Sequence, residues 1–291
     1  MPVTLENEFL AVRAVAKGAE LVSVVDKRDG IEHLWTADPA FWSRHAPVLF
    51  PIVGRLKNNQ YRIDGRTYSL NQHGFARDSD FELIEQDSQK AVFRLTWSEE
   101  TLLKYPYRFE LAIQYTLRDN ALAIAYRVRN VDRQTIYFSI GAHPGFNCPF
   151  GEGTAFDDYY LEFELPETVP VRQINEKGLM KRESRPFLVH ERVIPLSQSL
   201  FKDDALIFAG LRSRQVSLKN RRSAKTIAFE FDGFPYLAFW SPPQGAPFIC
   251  IEPWFGHGDG EDFDGDFREK AGVLQLKPAE EFGCLHRLVI G

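Results

Sequence analysis

The chain has 291 residues, 26% of them charged, and a formal net charge of −5. That balance leaves no basic surface of the kind nucleic acid needs, and no apolar run reaches the length of a membrane span. The N-terminus "MPVTLENEFL" has no basic stretch followed by an apolar one, so no signal peptide is read and a cytoplasmic protein is expected.

In chain order, the first clear element is "VSVVDKRDGIEHLW" (22–35), a hairpin pattern turning at Asp29-Gly30. "YRIDGRTYSL" (61–70) turns at Asp64-Gly65, and Asp-Gly is a preferred pair for two-residue hairpin loops. "KAVFRLTWS" (90–98) reads as a strand. "YRFELAIQYTLRDNALAIAYRVRNV" (107–131) alternates almost without a break, which predicts a long antiparallel hairpin with one buried face and a turn at Arg118–Asn120. The charged stretch from about Pro166 to Ser199 is expected to be loops and edge elements. "LKNRRSAK" (218–225) reads as a solvated hairpin turn. "TIAFEFDGFPYLAFWS" (226–241) and "PFICIEPWF" (247–255) are two further strands.

Long helical periods are missing, and the 20 Gly and 17 Pro are spread along the chain as turn markers. Many strands with short turns imply an all-β fold, a sandwich or barrel of large antiparallel sheets, read here as a single domain over residues 1–291. The 24 Phe suit strands and also sugar pockets. Cys148, Cys250 and Cys284 are odd in number and widely spaced, which suggests reduced thiols.

Chemistry concentrates in three segments. His73 stands in "LNQHGFARDSDFEL" (70–83), with Arg77 four residues on, either facing an anionic group or paired with Asp78 or Asp80. His143, in "SIGAHPGFNCPF" (139–150), is expected at a strand end on the sheet rim, as a functional group or as a structural cap. Glu252, in "FICIEPWFG", closes an apolar run. A carboxyl desolvated there has a raised pKa suited to a general base near neutral pH; a structural salt bridge is the alternative. His73, His143 and Glu252 also have the composition of a two-His-one-carboxylate iron(II) site, but they are spread along the chain and no H-x-H pair occurs. No G-x-S-x-G and no phosphate loop is found. "HGDGEDFDGDF" (257–267) misses the EF-hand register and reads as a solvated acidic loop.

Together, "FPIVGRLKNNQY", "QHGFARDSDFEL", "GAHPGFNCPF" and "CIEPWFG", in this order, resemble the aldose 1-epimerase (mutarotase) family of the galactose-mutarotase-like superfamily, in its LacX-like branch. The resemblance implies a very large antiparallel β-sandwich with an open cleft. It implies interconversion of the α and β anomers of a free aldose such as galactose or glucose, without metal or cofactor. By resemblance, His143 is the acid to the ring oxygen and Glu252 the base to the anomeric hydroxyl. His73, Arg55 and an aspartate, Asp204 in preference to Asp203, hold the sugar. Arg77 is shared with a hexose-6-phosphate branch, so a phosphosugar mutarotase stays open, as does a non-catalytic carbohydrate-binding protein. Trp240, Phe146, Trp254 and Phe75 are candidates for an aromatic shelf. The implied partner is a small sugar, and the sequence carries no sign of oligomeric state.

Overall fold

Strands dominate the computed structural model, which describes residues 2–291. One antiparallel sheet has 15 strands, and a four-stranded sheet is built from Val3–Glu6, Leu10–Ala14, Leu21–Asp26 and Ile31–Glu32. The result is a large antiparallel β-sandwich. The predicted hairpin is present as Phe109–Arg118 and Ala121–Asn130. Its register sets Leu111 opposite Val128, Ile113 opposite Tyr126 and Tyr115 opposite Ile124, and every one of these side chains is buried. The period of two becomes a buried face because successive strand side chains point to opposite sides.

The abundance of Phe has a packing cause. Phe50, Phe93, Phe109, Phe138, Phe163 and Phe229 are fully enclosed in one continuous core, each worth roughly 1.5–3 kcal/mol of burial. Helix is scarce. The one α-helix among the described residues, Glu99–Lys104, starts at a reciprocal Ser98/Thr101 cap.

Two expectations about elements need correction. The stretch from Pro166 to Ser199 is mostly strand: Tyr159–Ile174 pairs with Met180–Pro195 in a long hairpin interrupted by register shifts. Its charge comes from exposure, because Met180–Pro195 pairs on one side only and most of its residues face solvent. The stretch from Thr226 to Ser241 is two strands, Thr226–Glu230 and Tyr236–Trp240, with different neighbours. Phe231-Asp232-Gly233 makes the break, with Gly233 at φ +83°, where a side chain would strain the backbone.

Candidate active site

The site is organised by the strand Phe248–Phe255. Two short strands, Ile140–Ala142 and Gly145–Asn147, pair with it in succession and in one common register. Gly141 lies opposite Trp254 and Gly145 opposite Cys250. That register brings His143 directly across from Glu252, in the interval where the ladder opens around Pro144 and Pro253, which have no N–H to donate. His143 is therefore inside the sheet rather than at its rim, and Glu252 is mid-strand rather than at a strand end. His143 does follow a strand end, that of Ile140–Ala142, but the rim placement erred because the chain re-enters the same ladder at Gly145; the Glu252 placement erred because Pro253 reads as a terminator although the strand runs on to Phe255.

The motif "GAHPG" acquires a packing reason. Gly141, His143 and Gly145 alternate onto one face. A Cβ on Gly141 would come 2.7 Å from Trp254 Cδ1, and one on Gly145 would come 3.2 Å from Trp42 Cζ3. The two glycines leave space for indoles on either side of the imidazole. Ala238, opposite Glu252 on the other flank, is small as well.

His143 Nε2 is 3.2 Å from Glu252 Oε2, but the alignment does not make a hydrogen bond, and that oxygen has no hydrogen-bond partner. Both groups are enclosed, at 9% and 1% exposure. Burial pushes His143 down to about 3 and Glu252 well above the usual carboxylate range, with the Asp204 charge adding to the rise. The pair thus holds a single proton over a wide pH span, and burial favours the neutral arrangement.

His73 sits at φ +66°, in a turn whose next residue, Gly74, is at φ +72°. A Cβ on Gly74 would lie 2.3 Å from the Phe50 carbonyl oxygen. The Gly54 N–H donates to His73 Nδ1 at 3.1 Å, and the His73 N–H donates to the Gly54 carbonyl at 2.9 Å. Nδ1 is therefore the acceptor nitrogen, and the neutral ring carries its proton on Nε2. Burial holds His73 well below its ordinary value, and its ring stands edge-on to that of His143 with centroids 5.6 Å apart.

These groups line one cavity of about 310 Å³, within the range of small-ligand pockets. Arg55, His73, Arg77, His143, Asp204 and Glu252 all reach it. Asp203 does not; it borders the adjoining outer groove. Arg77 donates to the Gln72 carbonyl at 2.7 Å and is only 3.8 Å from Asp78, whose closer partner is Arg44 at 2.8 Å. Asp80 faces Lys17 instead. The guanidinium is thus aimed at the cavity more than tied to an acid.

Of the four candidate shelf aromatics, Trp240 and Trp254 border the cavity. Phe146 belongs to the core, and Phe75 packs against Phe50, Tyr105 and Phe109. Sequence reading missed Trp42, whose ring centroid is 4.9 Å from His143. It is held by stacking on Phe248 and by the Trp35 indole N–H donating to its carbonyl. It lies eight residues before "FPIVGRLKNNQY", outside every quoted motif, and no local signal marked it. Gln72, directly before His73, also lines the cavity and was within reach of motif reading.

The loop read as solvated and acidic is only half so. His257, Gly258 and Asp259 are buried. The Asp259 N–H donates to the Arg55 carbonyl at 2.8 Å and the Lys57 N–H donates to Asp259 Oδ2 at 2.9 Å, while Lys270 donates to the His257 carbonyl. Burial brings Lys270 down to about 8. Gly54 and Gly258 meet so closely that a Cβ on Gly54 would be 2.6 Å from the Gly258 nitrogen. This seam fixes the backbone that carries Arg55.

A large antiparallel β-sandwich with buried histidines, a carboxyl and tryptophans around one cavity defines the class: the chain belongs to the aldose 1-epimerase family, whose model matches residues 1–274. Among characterised sequences it is similar to the chromosomal protein LacX of Lactococcus lactis subsp. lactis, 38% identical over 288 residues and 96% of each chain. Among solved structures, a galactose mutarotase related enzyme from Lactobacillus acidophilus superposes with a TM-score of 0.94 at 38% identity, covering 100% of this chain and 97% of that one. A galactose mutarotase-like protein from Lactobacillus casei gives 0.94 at 32% identity, covering both chains fully. No helix among the described residues is long and apolar enough to cross a membrane.

Proposed function

We propose that this protein is an aldose 1-epimerase that interconverts the α and β anomers of a free aldose such as galactose or glucose. The observation that carries this reading is the His143–Glu252 pair: two buried proton-transfer groups 3.2 Å apart, unbonded to each other, in a cavity of ligand size. A sugar-binding module needs no such pair.

Ring opening moves one proton from the anomeric hydroxyl and one proton onto the ring oxygen. The net proton count of the catalyst is unchanged. A pair holding one proton is therefore in the required state, and the two partners exchange roles when the ring closes on the other face. In the assigned roles the shared proton first passes from Glu252 to His143; the Glu252 carboxylate then takes the proton of the anomeric hydroxyl and the His143 imidazolium delivers one to the ring oxygen, so the pair again holds one proton. The aldehyde then rotates about its C1–C2 bond before closing. His73 Nε2–H donates to a sugar oxygen, Asp204 accepts from hydroxyls, and Arg55 and Arg77 hold the rim. Trp42, Trp240 and Trp254 present apolar faces to the sugar's C–H surface. General acid and base steps contribute about 10²–10⁴ each.

A second reading, a phosphosugar mutarotase, has one observation in its favour. The outer groove of about 990 Å³ next to the cavity carries Arg55, Lys181, Arg185 and Lys202, none of which makes an ion pair among the described residues. The deciding experiment is anomer exchange followed by saturation-transfer NMR on a panel of free and 6-phosphorylated aldoses. Acceleration of free aldoses supports the first reading, acceleration confined to phosphorylated ones the second. No acceleration of any aldose overturns both.

A further inference from the structure

The strand that supplies Glu252 places a thiol beside it. Cys250 and Glu252 are two residues apart on Phe248–Phe255 and project from the same face. His143 lies across from Glu252, so Cys250 is its diagonal neighbour, and Gly145 directly opposite Cys250 offers no side chain to separate them. We propose that His143, Cys250 and Glu252 form a binding site for a thiophilic divalent cation, Zn²⁺ above all, and that its occupancy blocks the sugar chemistry.

Their ligand atoms all lie within 4.8 Å of one another. Tetrahedral zinc with bonds of about 2.0–2.3 Å places its donors roughly 3.5 Å apart, so small side-chain rotations suffice. Binding releases to solvent the Cys250 thiol proton, which burial otherwise holds, and the proton of the acid–base pair; the resulting imidazole, thiolate and carboxylate match zinc and reject Mg²⁺ or Ca²⁺, which take oxygen donors. Glu252 Oε2 is buried without a hydrogen-bond partner, which is the state of a donor awaiting a ligand. His143 and Glu252 border the cavity, which leaves room for a water or an anion as a fourth ligand. Cys250 is not part of the cavity lining, so it has no evident place in ring opening, whereas its two partners are the proton-transfer groups. His73 is not in this cluster, and its Nδ1 is occupied by the Gly54 N–H, so the cluster differs from the iron set considered from sequence.

The binding half of the proposal is independent of the mutarotase reading; the inhibitory half rests on it. The test is a Co²⁺ titration of chelator-treated full-length protein. One Co²⁺ per chain is expected, with a thiolate-to-cobalt charge-transfer band that Zn²⁺ removes by displacement. Cys250→Ala and Cys250→Ser should lose the band and weaken Zn²⁺ binding by about 100-fold or more, since losing even an outer-shell partner costs 10–100-fold. In anomer exchange, Zn²⁺ should inhibit the wild type reversibly with EDTA. Both Cys250 variants should keep the metal-free rate and tolerate about 100-fold more Zn²⁺. Absence of the band in the wild type, or equal Zn²⁺ affinity in a folded Cys250 variant, overturns the site. If the wild type accelerates no anomer exchange, the mutarotase reading fails while the cobalt band still decides the metal site.

Discussion

His143 and Glu252 face one another across two paired strands, 3.2 Å apart and unbonded, because the registers of Ile140–Ala142 and Gly145–Asn147 against Phe248–Phe255 agree on both sides of the gap. A shift of one residue in either short strand would turn one of them to the opposite face of the sheet. The geometry of the pair is thus a property of the sheet ladder, and a sugar oxygen can enter between two groups that do not satisfy each other.

Replacing either group should stop turnover without unfolding the protein. His143→Gln and Glu252→Gln are each expected to lower the anomer-exchange rate by about 10²–10⁴. The double variant should lose little beyond the worse single one, because the two act as a unit. Saturation-transfer NMR gives the rates, and thermal unfolding checks the fold. Wild-type rates in either variant would remove that residue from the proposed roles.

Rate and pH follow from the shared proton. The acid limb requires His143 to accept a second proton, which burial defers to about pH 3, and the alkaline limb requires loss of the raised Glu252 proton. The enzymatic rate should therefore show no step through the ordinary histidine range once the background rate is subtracted. A midpoint near 6.5, the ordinary histidine value, would contradict this.

Stability should fall in acid sooner than carboxylates alone would dictate. Burial lowers His33 and His257 to about 4, and His143 and His286 to about 3. Below about pH 6.5 the unfolded chain binds protons that the folded chain refuses, so stability is present above 6.5 and lost as pH drops. Each such histidine steepens the fall by up to about 1.4 kcal/mol per pH unit. His286 is stacked between Tyr126 and Phe229 with Nδ1 unpartnered, so His286→Leu should flatten the Tm–pH slope between pH 6.5 and 5. An unchanged slope would show that His286 takes no part in it.

Gly74→Ala should destabilise far more than a surface change. The new Cβ would sit 2.3 Å from the Phe50 carbonyl oxygen, and φ at +72° already disfavours a side chain. The expected cost is about 3 kcal/mol or more, read as a lowered denaturation midpoint. Because the same turn holds His73, residual folded protein should show a raised KM. A stability within 1 kcal/mol of wild type would mean that the turn relaxes freely.

The outer-groove cations separate the two substrate readings. Lys181→Gln with Arg185→Gln should leave KM for a free aldose unchanged. If the substrate is phosphorylated, the same changes should raise its KM about tenfold or more, the loss of one or two charge-assisted contacts. Equal effects on both sugars would assign these residues a structural role.

Much was readable in the chain itself. Alternation in 107–131 specified the hairpin, because a half-buried strand shows its face in every second residue. His73, His143 and Glu252 stood out because each polar group interrupts an apolar or turn-marked segment. Arg55 and Asp204 came only through family resemblance, since an arginine in "VGRL" and one of two adjacent aspartates carry no local signal of their own. The cavity positions of Trp42 and Gly258 were not readable, and neither was the buried half of the loop starting at His257, because they depend on packing against segments distant in sequence.

The sequence by itself determined the all-β class, the family likeness and the identity of the chemical groups, because those reside in local pattern and residue type. Only the tertiary structure decided that His143 is opposite Glu252, that Asp204 and not Asp203 reaches the cavity, and that Cys250 is beside the acid–base pair. Those facts depend on strand register and neighbour choice, which are set by long-range pairing and by the glycines that let indoles pack around one imidazole.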